Sequence, residues 1–256
     1  QPYLNTEYLG FKMDDNDKNN PLKDKRVRQA INYGFSREKM IKYMRNNIGY
    51  PGEFGIIPMG LAGFDSTSKA YDYNPEKSKQ LLAQAGYPNG EGMQEITLST
   101  TATHLDLCKY IQQQLGLLGI KVKIDVNPPA ALREHIAQGK TQWFRGSWIA
   151  DYADAENYLS LFYSKNHCPK GSNYTHFSSK EYDKLYEKAI LETDYEKRIA
   201  LYKKMNDIII EESPIVVLYY DQVLRFVQKN SKSIPKLVNT KQHCYSQKGN
   251  LIYLSK

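Results

Sequence analysis

The sequence predicts an α/β fold built on an open, mainly parallel sheet with helices on both faces. Three observations carry this. Residues 96–150 read strand–helix–strand–helix–strand, and connections of helix length join parallel, not antiparallel, neighbours. Two runs, Trp143 to Ala150 and Ile215 to Tyr220, are apolar and aromatic without strict alternation, as in buried strands. Between the strands, apolar residues recur at helical spacing behind recognisable cap residues.

Taken in order, Tyr8 to Met13 is a short strand, and Asp14 to Pro21 a polar loop closed by proline. Val27, Ala30, Ile31 and Gly34 share one helical face, and Ser36 caps a second helix over Arg37 to Arg45, which makes an αα corner. Gly49 to Gly63, with Pro51 and Pro58, is a loop too apolar to be a disordered linker. Asn74-Pro75-Glu76 is a cap, a first-turn proline and an acid, so it starts a helix that Gly86 stops. Ile96 to Thr100 and Lys121 to Val126 are strands; His104 to Leu118 and Pro128 to Gln138 are the helices that follow them. A helix from Asp154 to Tyr163 follows the Trp143 strand, then a polar loop, His167 to Ser179. Ser178-x-x-Glu181 and Thr193-x-x-Glu196 fit the capping box and start two more helices. The second is expected to bury Tyr195, Ile199, Tyr202 and Ile209. Beyond Asp221 the chain becomes Lys-rich, in short extended pieces.

Composition narrows the function. A chain of 256 residues buries a sizeable core, and 21 tyrosines suit wet, adaptable contact surfaces as well as half-buried structure. No run reaches the ~20 apolar residues of a membrane-spanning helix. A chain starting at Gln1 is expected to be a processed or truncated product. The net charge of +7 gathers in Lys23 to Arg45 and in the region from Val223 to Lys256. With no recognition motif beside either block, solvated surface is the expected reading, not nucleic-acid binding. Cys108, Cys168 and Cys244 form no metal-ligand spacing, and the five histidines never fall at i,i+4. Cys168 and His176 share a loop, but nothing in the sequence places them together as a nucleophile pair. No phosphate-binding, zinc-protease or serine-hydrolase motif is present, so no cofactor or metal is expected.

The stretch Gln142 to Ser160 holds both tryptophans, Arg145, Asp151 and Asp154. With a helix starting at Ala155, Asp154 is the N-cap and its carboxylate serves backbone N–H groups. Asp151 is then left at a strand end, where open α/β sheets bind ligands. Trp148, Tyr152 and Tyr158 lie near it, and an acid walled by aromatics traps an ammonium group. Pairing of Asp151 with Arg145 inside the fold is the equal alternative.

Read as a whole, the chain resembles the solute-binding proteins of ABC-type oligopeptide and dipeptide importers, the peptide- and nickel-binding family. The resemblance rests on Tyr8-Leu-Gly-Phe11, on Lys25 to Tyr33 with Ser36-Arg-Glu38, and on Tyr73 to Lys79 with Leu81 to Gly90. It continues through Leu117 to Val122, Gly146-Ser-Trp-Ile-Ala-Asp-Tyr152, Tyr182-Asp183, Glu192 to Asp194 with Lys197-Arg198, and Pro214 to Tyr220. It implies the type II periplasmic-binding fold, a two-lobed clamshell of which this chain is the late-inserted lobe, at residues 8–222. Residues 223–256 then return toward an N-terminal lobe missing from the chain. It further implies binding, without catalysis, of oligopeptides or dipeptides for delivery to an ABC transporter permease. The protein is then periplasmic or at the cell surface, touching the membrane only through a lipid anchor outside this chain. Asp151 matches the family acid that holds the ligand's α-amino group; Trp143 and Arg145 match positions that approach the ligand, the Arg pairing with a carboxylate. Ile149 stands where some members have cysteine, and Ala155 where proline is usual. Two kinds of alternative remain: the same fold holding a nickel complex, haem or oligosaccharide, and a different class altogether. The latter is either a hydrolase using Asp151 with a second carboxylate or a stand-alone interaction domain.

Overall fold

The computed structural model describes residues 2–15, 17, 19–67, 70–223, 244–245 and 251–252. The first strand, β1 (Pro2–Phe11), starts earlier than its sequence pattern. It is followed by α1 (Lys25–Tyr33), α2 (Arg37–Met44) and a two-residue strand, β2 (Tyr50–Pro51). Next come α3 (Pro75–Gln84), β3 (Ile96–Thr100), α4 (Leu105–Gly116), β4 (Val122–Val126) and α5 (Pro129–Ala137). Then β5 (Trp143–Ile149), α6 (Glu156–Leu159), α7 (Lys180–Leu191), α8 (Tyr195–Glu212) and β6 (Ile215–Gln222) complete the body. In the expected C-terminal tail, Cys244–Tyr245 pairs with Leu251–Ile252, and the other residues after Val223 lie outside the described residues.

Local chemistry explains the helix starts. The carboxylate of Asp24 accepts the Arg26 N–H, the Ser36 hydroxyl the Lys39 N–H, and the Asn74 side chain the Lys77 N–H. The two capping boxes are shifted by one residue. Ser179, not Ser178, caps α7, and Asp194, not Thr193, caps α8. In each case two adjacent residues carry a suitable oxygen, and the chain path into the helix selects between them. The buried stripe of α8 is Leu201, Tyr202, Met205 and Ile209; Tyr202 and Ile209 are buried as expected, whereas Tyr195, in the first turn, is 55% exposed and Ile199 half-buried.

The sheet runs β2-β6-β1-β5-β3-β4. It is parallel only over β4, β3 and β5; β1 is antiparallel to both β5 and β6, and β2 to β6. The expected parallel character therefore belongs to the part built from helix crossovers. Strand β1 meets partners far along the chain, and periodicity carries no record of their direction. One face of the sheet packs against α1 to α4 through Leu9, Phe11, Leu98, Trp143 and Val216. The other packs against α5 to α8 through Leu4, Tyr8, Phe144, Ile215 and Val217. Strands β1 and β5 lock by exchange of rings and glycines: Phe144 sits opposite Gly10 and Tyr8 opposite Gly146. A Cβ on Gly10 would come within 2.5 Å of the Phe144 ring, and one on Gly146 within 2.8 Å of the Tyr8 ring.

The first basic block is only partly a solvated face. Arg28 and Arg37 are 2% exposed and are consumed by backbone carbonyls. Arg28 donates to Leu22, Glu212 and Ser213, Arg37 to Val217 and Asn32, at 2.6–3.0 Å. Burial pushes both guanidiniums down, to about 10. They fasten the start of the chain to β6, so charge counted along the sequence overstated the exposed positive surface. Among the described residues no helix is long and apolar enough to cross a membrane.

Candidate functional site

Strands β3 and β5 are neighbours whose connections leave toward opposite faces. Strand β3 feeds α4 on one side, and β5 feeds α6 on the other. Such a reversal opens a crevice outside the strand ends, the usual ligand position in open α/β sheets. The residues there come from the end of β5 and from the β3–α4 corner.

The exit of β5 is held in place by one side chain. Pairing with β1 continues to Ala150, whose N–H donates to the Leu4 carbonyl at 3.0 Å. The Asn157 side-chain oxygen then accepts both the Trp148 indole N–H, at 2.8 Å, and the Asp151 backbone N–H, at 3.2 Å. Asn157 is buried. It fixes the indole and the backbone of Asp151 relative to each other, and sequence reasoning missed it. The only signal available was an amide where an apolar residue is ordinary, too weak to act on.

Asp151 itself is exposed, and among the described residues its carboxylate makes no hydrogen bond or ion pair. The partner suggested for it, Arg145, is engaged elsewhere: its guanidinium pairs with Glu7 across the β1–β5 ladder. These side chains are 16% and 8% exposed, so the pair is largely withdrawn from water. It belongs to a longer chain of charge. The Asn5 amide donates to Glu7 at 3.0 Å and to Asp221 at 3.3 Å, and Asp221 binds Arg45 at 2.8 Å. The Arg45 guanidinium lies 3.9 Å from the centre of the Tyr219 ring. His104, in the β3–α4 corner, is pushed down from 6.5 to about 4, by burial first and then by the charges of Arg145 and Arg45.

Asp154 behaves as expected of a structural acid, one position off the predicted cap. Its Oδ1 accepts the Glu156 N–H at 2.9 Å, and its Oδ2 lies 3.7 Å from Arg198. Glu156 accepts the hydroxyls of Tyr152 and Tyr186. The nearest acids in sequence to Asp151 are thus engaged within the fold.

The aromatic candidates divide. Trp148 is half-buried and Tyr152 is 51% exposed, both beside Asp151. Burial and the Glu156 carboxylate push the Tyr152 phenol up to about 12. Trp143 is a correction: it is 0% exposed and stacks on Phe11 at 5.7 Å, inside the core. At about 3.3 Å per residue, the strand carries it more than roughly 20 Å from Asp151. Tyr158 is likewise core, its hydroxyl donating to Leu4 at 2.6 Å. A further correction lies elsewhere: Cys168 and His176, left apart by the sequence, meet at 2.9 Å. Among the described residues there is no group of three or more His, Cys, Asp or Glu side chains suited to hold a metal ion.

The chain has relatives among known proteins. The middle region of the bacterial extracellular solute-binding proteins, family 5, matches residues 1–169. The dipeptide-binding protein of Escherichia coli is 26% identical over 90% of this chain and 43% of its own length. The glutathione-binding protein GsiB of Escherichia coli is 30% identical over 82% of this chain and 42% of its own. Among solved structures, the periplasmic binding protein DppA of Helicobacter pylori, in complex with the peptide STSA, superposes with a TM-score of 0.77 at 31% identity. That match covers 86% of this chain and 42% of DppA. The chain thus spans about two fifths of the length of these relatives. It belongs to the family 5 extracellular solute-binding proteins.

Proposed function

We propose that this family 5 chain is one lobe of a two-lobed clamshell that binds peptides outside the cytoplasm and delivers them to an ABC transporter permease. In this reading residues 8–222, with the earlier part of β1, make the lobe, and residues 223–256 return toward the second lobe. A lipid anchor outside this chain holds the protein at the membrane. The observation that carries the reading is the Asp151 carboxylate: exposed, unpaired among the described residues, and set just past the end of β5 with Trp148 and Tyr152 beside it.

The chemistry follows from that placement. A peptide's terminal ammonium donates to Asp151, and the aromatic faces add cation–π attraction. The peptide backbone pairs with strand edges, which supplies affinity independent of side chains. Closure of the second lobe excludes water, strengthens the ion pair and signals occupancy to the permease. Arg145 is already engaged by Glu7, a largely buried acid whose other donor is the Asn5 amide, so turning the guanidinium wholly to a ligand carboxylate carries a cost. Recognition of the ammonium end therefore dominates. No bond is made or broken, in keeping with relatives that are solute-binding proteins.

Calorimetric titration of the full-length protein tests this. Peptides with a free amino terminus are expected to release heat, and the same peptides N-acetylated to release none. Heat from an oligosaccharide, a haem or a nickel chelate, with none from any peptide, overturns the peptide assignment.

A further inference from the structure

Away from the β5 exit, the loop between α6 and α7 folds back against the segment that follows β1. Buried Asn173 organises it, donating to the Tyr163 and Phe177 carbonyls at 3.1 and 3.0 Å. The Met13 N–H donates to the Thr175 carbonyl at 2.7 Å, tying the loop to β1. Three reactive side chains then fall in line. The Cys168 Sγ lies 2.9 Å from His176 Nε2, and His176 Nδ1 lies 2.6 Å from Asp14 Oδ2. The His167 ring stacks on His176 with centroids 4.8 Å apart and planes within 4°. An ionised Asp14 only accepts, so the Nδ1–H donates to it and Nε2 is left as acceptor for the thiol. This is the order nucleophile, base, orienting acid.

A cavity of about 670 Å³ lies against this line and is walled by His176, Phe177 and Asp14. Its other charged lining residues are Glu181, Asp207, Glu211 and Glu212. Lys25 reaches the last two, at 2.7 and 3.5 Å, and Lys12 lies 3.4 Å from Asp14, so five acids face two cations and the local sign stays negative. His176 lines the cavity and also touches Sγ. Cys168 is 5% exposed and stands one side chain behind the cavity wall. Burial and the Asp14 charge push its thiol up, so at rest the sulfur keeps its proton.

We propose that Cys168, His176 and Asp14 form a thiol–disulfide exchange site for small cationic disulfides admitted through the acidic cavity. His176 Nε2 takes the Cys168 proton as Sγ attacks one sulfur of the co-reactant. The Sγ–S bond forms as the co-reactant's S–S bond breaks, and the departing thiolate takes the proton from the imidazolium. One thiol and one disulfide give one mixed disulfide and one thiol, so no further oxidant is consumed. Peptide binding at Asp151 uses none of these groups, so the two proposals stand or fall separately.

The test follows labelling of each cysteine by peptide-mapping mass spectrometry in the reduced full-length protein, with cystamine as the cationic disulfide and dithiodiglycolate as the anionic one. Cystamine is expected to label Cys168 at least about ten-fold faster than it labels fully buried Cys108, and about ten-fold faster than dithiodiglycolate labels Cys168. His176→Gln and Asp14→Asn are each expected to slow Cys168 by about ten-fold or more, with equal labelling of all forms in urea. Asp14 is half exposed, so its variant keeps the test open if His176→Gln fails to fold. Glu181→Gln with Asp207→Asn is expected to reduce the charge preference several-fold. Labelling of Cys168 no faster than Cys108, no preference between the two disulfides, or a folded Asp14→Asn variant with unchanged rate overturns the proposal.

Discussion

Asp151 and Asp154 occupy one short segment after β5, yet the fold treats them in opposite ways. Asp154 accepts a backbone N–H at the entrance to α6 and lies near Arg198, so its charge is spent on local structure. Asp151 has its backbone clamped by Asn157 while its carboxylate faces water with no partner among the described residues. Arg145, within β5 itself, extends the contrast. It is charged and close to the crevice, but Glu7 already answers it. A charge answered within the fold contributes to stability and loses value for binding. One that is held rigid but unanswered costs little in water and keeps its interaction for a ligand.

This contrast can be broken at each residue. The largest effect is expected from Arg145→Ala, which strands Glu7 in a largely dry place and lowers unfolding free energy by about 3–5 kcal/mol. Urea denaturation measures this, and the double variant Arg145→Met/Glu7→Gln is expected to recover much of the loss. A loss no greater than a surface substitution's would mean that the pair is idle. Asp151→Ala comes next and shifts a different observable. Peptide affinity is expected to fall about 100-fold, near 2.7 kcal/mol, while stability moves by less than ~0.5 kcal/mol. A large drop in melting temperature with intact binding reverses the assignment of the two acids. Asp154→Ala is expected to give the mirror image: about 1 kcal/mol of stability lost with its bond from the Glu156 N–H, and a smaller loss of binding through a loosened α6.

The smallest effect is electrostatic. His104 is held near 4 in the folded chain against an ordinary 6.5. As pH falls from about 6.5 toward 4, the unfolded chain takes up a proton that the folded one refuses, so stability declines across that window. Above it neither form is charged and the effect vanishes. The ring is part-exposed, so water screens much of this, and His104→Gln is expected to make the acid-side stability slope modestly shallower. Identical slopes for both proteins would exclude His104 as a reporter of the Arg145 and Arg45 charges.

Much of the fold was legible because its signals are local. Asn74-Pro75-Glu76 started α3 as read, and the apolar periods of α4 and α5 buried Leu107, Ile111, Leu132 and Ile136. Where two neighbouring residues offered the same cap chemistry, as at Ser178 and Ser179, the pattern left a one-residue ambiguity that only the chain path resolved. In the candidate site, the separation of Asp154 from Asp151 followed from helix-cap logic. The placement of Trp143 did not, because a tryptophan in a buried strand looks the same whether its ring enters the core or lines the crevice.

Sequence alone therefore determined the α/β class, the order of elements, the family, and Asp151 as the acid without a local task. Each of these depends on neighbours within a few residues or on matched motifs in order. Tertiary structure decided the antiparallel half of the sheet, the burial of Arg28 and Arg37, the Glu7–Arg145 pair and the alignment of Cys168 with His176 and Asp14. These depend on which distant segments β1 meets in space. A charged or reactive side chain acquires its role from the partners that answer it, and those partners are set by packing rather than by spacing.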